Sequence, residues 1–262
     1  MEAFARQMHG SDLGSLAAFL GVAISLTTLA FAATSIRALR GAPASEQRSE
    51  AQPVVRILVV WVLVAGALGA AVSHSSLAVA GSRFLPLGAF VGIALALVSL
   101  AWAPARRAFD QLSDAEVRGL LVYRATFGGM LIAGAALGSF PPVFAWTAGV
   151  GDLLVTWLAA AMPGALATGG SRPARLLVHG WGLFDLVQVV VVVLTIVRPW
   201  LIESNAAVPS LLLPWIGVPL MLALNLHGFR HALSEARSNR GADAESLGDR
   251  PEPAGRVRRA VG

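Results

Sequence analysis

Phe144-Ala145-Trp146-Thr147-Ala148-Gly149-Val150-Gly151-Asp152-Leu153-Leu154-Val155 lies within an apolar run from Val143 to Met162. A run of that length crosses a bilayer as one helix. Asp152 falls at its middle, where an acid costs about 2.5–3.5 kcal/mol on insertion scales and rarely stands without a partner or a task. The next run, Ala174 to Val197, also carries one acid near its centre, Asp185. Two mid-depth acids on consecutive spans mark where the protein works, without naming a substrate.

The whole composition agrees with a membrane chain. Of 262 residues, 56% are hydrophobic and 13% charged, against about 25% charged in soluble domains. Mean hydropathy is +0.68. In such a solvent every backbone polar group must be paired inside a helix, so the expected fold class is all-α, a polytopic helical bundle. There is no Cys, which excludes disulfides and thiolate metal sites. There is also no Lys, which removes Schiff-base chemistry. The Arg positions have a topological explanation, so the pI of 11.3 does not point to nucleic acid.

Seven spans are expected: Leu13–Ile36, Val54–Leu77, Phe84–Trp102, Gly119–Phe140, Val143–Met162, Ala174–Val197 and Pro209–Phe229. Pro141-Pro142 breaks the chain between the fourth and fifth. Sixteen Arg fall in the loops and tail of one side, and only Arg6, Arg83 and Arg198 on the other. The positive-inside rule then places the N-terminus outside and the C-terminus in the cytoplasm. The expected division is a transmembrane domain over 1–233 and a disordered cytoplasmic tail over 234–262. Ser113 and Glu116 have the spacing of a capping box at the entry to the fourth span. Gly88/Gly92, Gly134/Gly138 and Ala65/Gly69 are small pairs that let helices approach closely.

The remaining Arg, Arg124, is the sixth residue of the fourth span, with its Cα roughly 8 Å inside at 1.5 Å per residue. His179 lies at similar depth in the sixth span, and His227 near the cytoplasmic end of the seventh. The expected picture has two tiers: a basic one of Arg124, His179 and His227, and an acidic one of Asp152 and Asp185. Thr156 is one turn from Asp152, and Gln188 and Trp181 about one turn from Asp185, so they share those faces. His179 is set about 240° around the helix from Asp185 and looks towards another neighbour. Two carboxyls close together in low dielectric do not both ionise easily and titrate as a unit. Such a pair can hold and release a proton or coordinate a cation. Pro209, Pro214 and Pro219 interrupt the seventh span, and broken helices line the cavities of many transporters.

Gly149-Val150-Gly151-Asp152 resembles the GxGD motif of the intramembrane aspartyl proteases, with Phe184-Asp185 similar to their Tyr-Asp element. That resemblance implies catalysis by Asp152 and Asp185 on a shared water. Here, however, the second Asp follows the motif, whereas in that group it precedes it. His227 and His231 resemble the histidine pair of zinc-dependent seven-span hydrolases. The one early-span candidate to complete that set, His74, is expected about 30 Å away across the hydrocarbon, so no metal site is expected. The stretch from Arg124 through Asp152, Trp181 and Asp185 to His227 resembles a family of uncharacterised bacterial polytopic membrane proteins.

The resulting expectation is a multi-pass protein of the bacterial inner membrane. It is a proton- or cation-coupled carrier, or a membrane-embedded binding protein for a small molecule or ion. Asp152, Asp185, Arg124, Gln188, Thr156, Trp181, His179 and His227 form its site, with no cofactor. The bilayer is its first partner, and a second copy of the chain stays open. An aspartyl hydrolase and a structural or assembly protein are the alternatives.

Overall fold

The computed structural model describes residues 10–41, 45–73, 81–138, 141–162, 166, 171–203 and 212–248. Among these there is no strand, and the fold is all-helical. In chain order the helices are α1 Gly10–Arg40, α2 Ser45–Ser73, α3 Gly81–Ala101, α4 Ala103–Asp110 and α5 Asp114–Ala136. They are followed by α6 Pro142–Ala161 and α7 Arg172–Trp200, and by α8 Val218–Gly248, which is entered through a π-helical turn, Leu213–Gly217.

Five of these helices are long and apolar enough to cross a membrane: Ala18–Arg40, Ala51–Gly69, Asp114–Ala136, Pro142–Ala161 and Arg172–Trp200. A sixth arises if Pro86–Ala101 and Ala103–Asp110, bent by 87° at Trp102, count as one broken span. Their large apolar side chains point outward, Phe19, Leu26, Leu63, Phe90 and Val187 among them. This is the build of a membrane protein, since in water such a surface would drive association.

The seventh expected span belongs to α8, which differs from the others. Its residues Leu220, Met221, Ala223, Leu224, Asn225 and His227 are all buried. It packs on α7 on one side and on α3 and α4 on the other. A helix enclosed by neighbours need not be uniformly apolar, because protein rather than lipid meets its polar groups. Helix α8 also continues through Ser234 to Gly248, into the segment expected to be disordered. Extending an existing helix avoids the cost of a new nucleus, and Ala and Glu favour it. Pro209 lies outside the described residues.

Local chemistry sets the helix ends. The Ser113 capping box forms as its spacing predicts: Glu116 N–H donates to Ser113 Oγ at 3.3 Å and Ser113 N–H to Glu116 Oε2 at 2.8 Å. Helix α5 stops where Gly138 takes φ +75°, a left-handed conformation that a side chain disfavours. Gly138 is therefore a stop rather than the packing position expected of it, and a Cβ there would touch nothing. Gly88 and Gly92 do pack: Cβ atoms on them would overlap the Trp215 and Pro219 rings, so α3 seats directly on the start of α8.

Pro219 removes the N–H that would serve the Trp215 carbonyl. That carbonyl accepts instead from the Trp61 indole N–H at 2.9 Å. The break is thus answered by a side chain of α2, as a bilayer interior requires.

Candidate functional site

Helix α5 brings Arg124 to the centre of the bundle on the buried stripe Leu120, Leu121, Arg124, Phe127, Gly128 and Leu131. Helix α6 reaches it after a π-helical turn, Ala145–Gly149, followed by Val150–Ala161. Such single π turns recur at functional sites. Here Gly149 and Asp152 both face α5: a Cβ on Gly128 would meet the Gly149 carbonyl and Asp152 Cβ. Helix α7 presents a wide buried stripe, Arg175, Val178, His179, Gly182, Asp185 and Leu186, because it is flanked by α6 and α8.

Arg124 bridges the two acids. Its Nε donates to Asp152 Oδ1 at 2.6 Å, its Nη2 to Asp185 Oδ2, and its Nη1 to the Gly182 carbonyl at 3.3 Å. The three side chains are sealed: relative exposure is 0% for Arg124, 7% for Asp152 and 2% for Asp185. Both glycines beside the acids are needed for space. A Cβ on Gly151 would overlap Asp185 Oδ1, and one on Gly182 would lie 3.0 Å from Arg124 Nη1 and closer still to Asn225 Oδ1. The GxGD spacing therefore brings the α6 backbone against the carboxyl of α7.

The acids of α6 and α7 do turn towards each other, and Arg124 stands with them. The expected two-tier arrangement is not formed, because the Arg side chain is long enough to reach along α5 and pair with both carboxyls. His179 faces away from Asp185, as its helix angle implies. Its Nδ1 lies 3.3 Å from Asn225 Oδ1, and its ring lies against Gly228 of α8.

Four expected site residues take other roles. Thr156 shares the Asp152 face, but its hydroxyl donates to the backbone carbonyls of Leu121 and Asp152, both at 3.0 Å. Gln188 is half-buried and makes no hydrogen bond to either acid. Trp181 falls on the outward stripe Leu177, Trp181, Phe184 and Val187, and its ring tilts against Phe184. Its four-residue offset from Asp185 is enough to carry it over the stripe edge. His227 belongs to a different cluster, with Ser99 Oγ 3.0 Å from its Nε2 and Phe109 stacked on its ring. Among the described residues no group of three or more His, Asp or Glu could hold a metal ion. His74 lies outside the described residues.

Sequence reading missed Asn225 and Arg175. Asn225 is fully buried, bonded through Nδ2 to the Met221 carbonyl at 2.7 Å, and lies against Gly182. A lone amide within Leu222-Ala223-Leu224-Asn225-Leu226 was its signal. Arg175 is 2% exposed. In the sequence it is one of the sixteen Arg on the charge-rich side and carries no separate signal.

Residues 84–233 match a family model described as "Domain of unknown function (DUF8737)". The chain belongs to this family. The matched segment holds Arg124, Asp152, His179, Asp185 and Asn225 and leaves α1 and α2 outside it. No curated protein and no solved structure matches the chain.

Proposed function

We propose that this DUF8737 protein is a proton- or cation-coupled membrane carrier whose coupling site is Arg124 with Asp152 and Asp185. One observation carries the reading: a single guanidinium is bonded to two carboxyls in a sealed interior. One positive and two negative charges leave one negative charge over. In low dielectric that charge calls for a proton or a cation. Exchange of that proton or cation is the coupling step. Ion and proton pathways are the usual reason for ionisable groups within spans.

The reading includes seven spans with the N-terminus outside, α8 being the seventh, in a bacterial inner membrane. The Arg bias of the loops and the buried position of α8 support it. The test is uptake in proteoliposomes. Asp152→Asn and Asp185→Asn should each abolish uptake driven by a proton or cation gradient; uptake at the parent rate in both would overturn it.

A second reading is a structural clasp that fixes the pairing of α5, α6 and α7. Its support is that the triad's hydrogen bonds run to its own members and to one backbone carbonyl. It expects the Asn variants to lose stability or assembly and no ligand to bind. For the hydrolase reading, the guanidinium is already bonded to both carboxyls that would share a water, which weighs against it.

A further inference from the structure

Helix α4 leaves α3 at 87°, keeps Ala105 and Ala108 buried and turns Arg107 outward. A short amphipathic helix of this kind lies in the plane of the membrane surface when the helix before it crosses the bilayer. Trp102 sits at the bend, where an indole suits the headgroup level. Arg106 is held at the same elbow: its Nη1 donates to the last carbonyls of α3, Leu100 at 3.0 Å and Ala101 at 3.1 Å. A guanidinium also donates through Nε and Nη2. Among the described residues no carboxylate pairs with Arg106, and the acid one turn along, Asp110, is bonded to Arg230. A half-buried cation with Nε and Nη2 left over thus stands at the headgroup level.

Helices α2 and α3 stand apart, and α4 packs on both. Between them lies an apolar cleft of about 150 Å³, walled by Val54, Ile57 and Trp61 of α2 and by Leu95, Val98 and Trp102. Ile57 and Val98 are 52% and 62% exposed, so the cleft opens sideways, towards lipid. A cavity of this volume holds about six carbons, the size of benzene. That is a stretch of one acyl chain and not a whole one. Trp61 and Gly69 of α2 meet Trp215 and Leu212, while Gly88 and Gly92 of α3 meet Trp215 and Pro219, so the two walls run antiparallel. Both carry an Arg at the same end: Arg106 just past the end of α3, and Arg56 on α2, exposed and next in sequence to Ile57.

We propose that this elbow binds an anionic phospholipid, its phosphate between Arg106 and Arg56 and a short stretch of one chain in the cleft, the rest of that chain lying in the bilayer. A phosphate diester accepts from Nε and Nη2 of Arg106 side by side, the pairing that a planar guanidinium offers best. A choline headgroup would bring its own cation against the two guanidiniums. The site requires α3 to cross the membrane, as in the seven-span reading, and is independent of ion coupling at the triad.

The full chain in detergent would be given phosphatidylglycerol and phosphatidylcholine with the same chains, and the first lipid retained counted by native mass spectrometry. Phosphatidylglycerol is expected to be favoured about fivefold, the effect of one Arg near an anionic surface. Arg106→Gln should bring that preference close to parity, while Arg106→Lys keeps part of it. Arg118→Gln, which removes an equal charge at the start of α5 from a pair with Asp114, should leave it unchanged. Val98→Trp, narrowing the cleft, should lower retention of both lipids and not their ratio. Inorganic phosphate, which lacks the chain, should not displace the lipid. No preference in the parent, or the same loss from Arg118→Gln as from Arg106→Gln, would overturn the proposal. Phe90→Cys, exposed midway along α3, separates the two levels. If it is protected from aqueous maleimide in vesicles and no lipid preference is found, the lipid site alone fails; if it is labelled, α3 is no span and both fail.

Discussion

Removing the Arg124 guanidinium would leave two carboxyls facing each other in a dry interior. Breaking a buried charge cluster by deleting one partner costs about 3–5 kcal/mol. Arg124→Gln is therefore expected to lower the unfolding midpoint in an SDS or thermal titration by an amount of that order. Replacing all three members with apolar residues, Arg124→Met with Asp152→Leu and Asp185→Leu, is expected to restore most of that stability, since well-packed hydrophobic substitutes often match or exceed buried ion clusters. The triple variant also separates the two functional readings: a carrier would fold and be inert, whereas a clasp would mispair its helices. Gly151→Ala tests the close approach of α6 to Asp185. With a Cβ overlapping Oδ1, a loss of about 1–3 kcal/mol is expected from overpacking. Of this scale, Asp152, Asp185 and Arg124 were legible because a charge within an apolar run stands out by itself. Asn225 was less so, since an uncharged amide adds little to the signal of its run, yet it holds the space between Gly182 and His179.

Elements carry a different kind of information. The capping box at Ser113 follows from four residues and the need to satisfy free N–H groups at a helix start. Ser113→Ala should cost about 1 kcal/mol, read as a small drop in unfolding midpoint. The Trp61 bond to the Trp215 carbonyl is not local. It joins a proline break near the start of α8 to an indole on α2, and Trp61→Phe should cost about 1–3 kcal/mol by leaving that carbonyl unmet. The prolines of the last span announced freed carbonyls, but not which helix would answer them. The π-helical turns at Ala145–Gly149, Val193–Val197 and Leu213–Gly217 had no expectation at all. A π turn is a compromise between helix propagation and packing against neighbours, and one strand of sequence does not contain the neighbours. Helix α4 has no signal in the sequence for a related reason: eight residues with two Arg have no membrane-length run, yet the 87° bend after α3 lets them form a short helix packed against α2, α3 and α8.

For the whole molecule, sidedness is the property most open to a direct test. The chain has no Cys, so each introduced thiol is unique. Pro142→Cys, at the exposed start of α6, should react with a membrane-impermeant maleimide in intact cells. Ser234→Cys on the far part of α8 should react only after lysis. The reverse pattern would invert the orientation expected from the Arg distribution.

By itself the sequence determined that the chain is helical, which runs suit a bilayer, and that acids lie mid-run in two of them. Apolar length and buried backbone groups admit few other solutions. The tertiary structure alone decided that Asp152 and Asp185 share one guanidinium, that His179 turns to Asn225 while His227 turns to Ser99, and that Trp181 faces outward. Those outcomes depend on the rotation of each helix against its neighbours. Rotation is set by side-chain packing between elements distant in the chain, with the close contacts at Gly128, Gly151 and Gly182 among those that fix it.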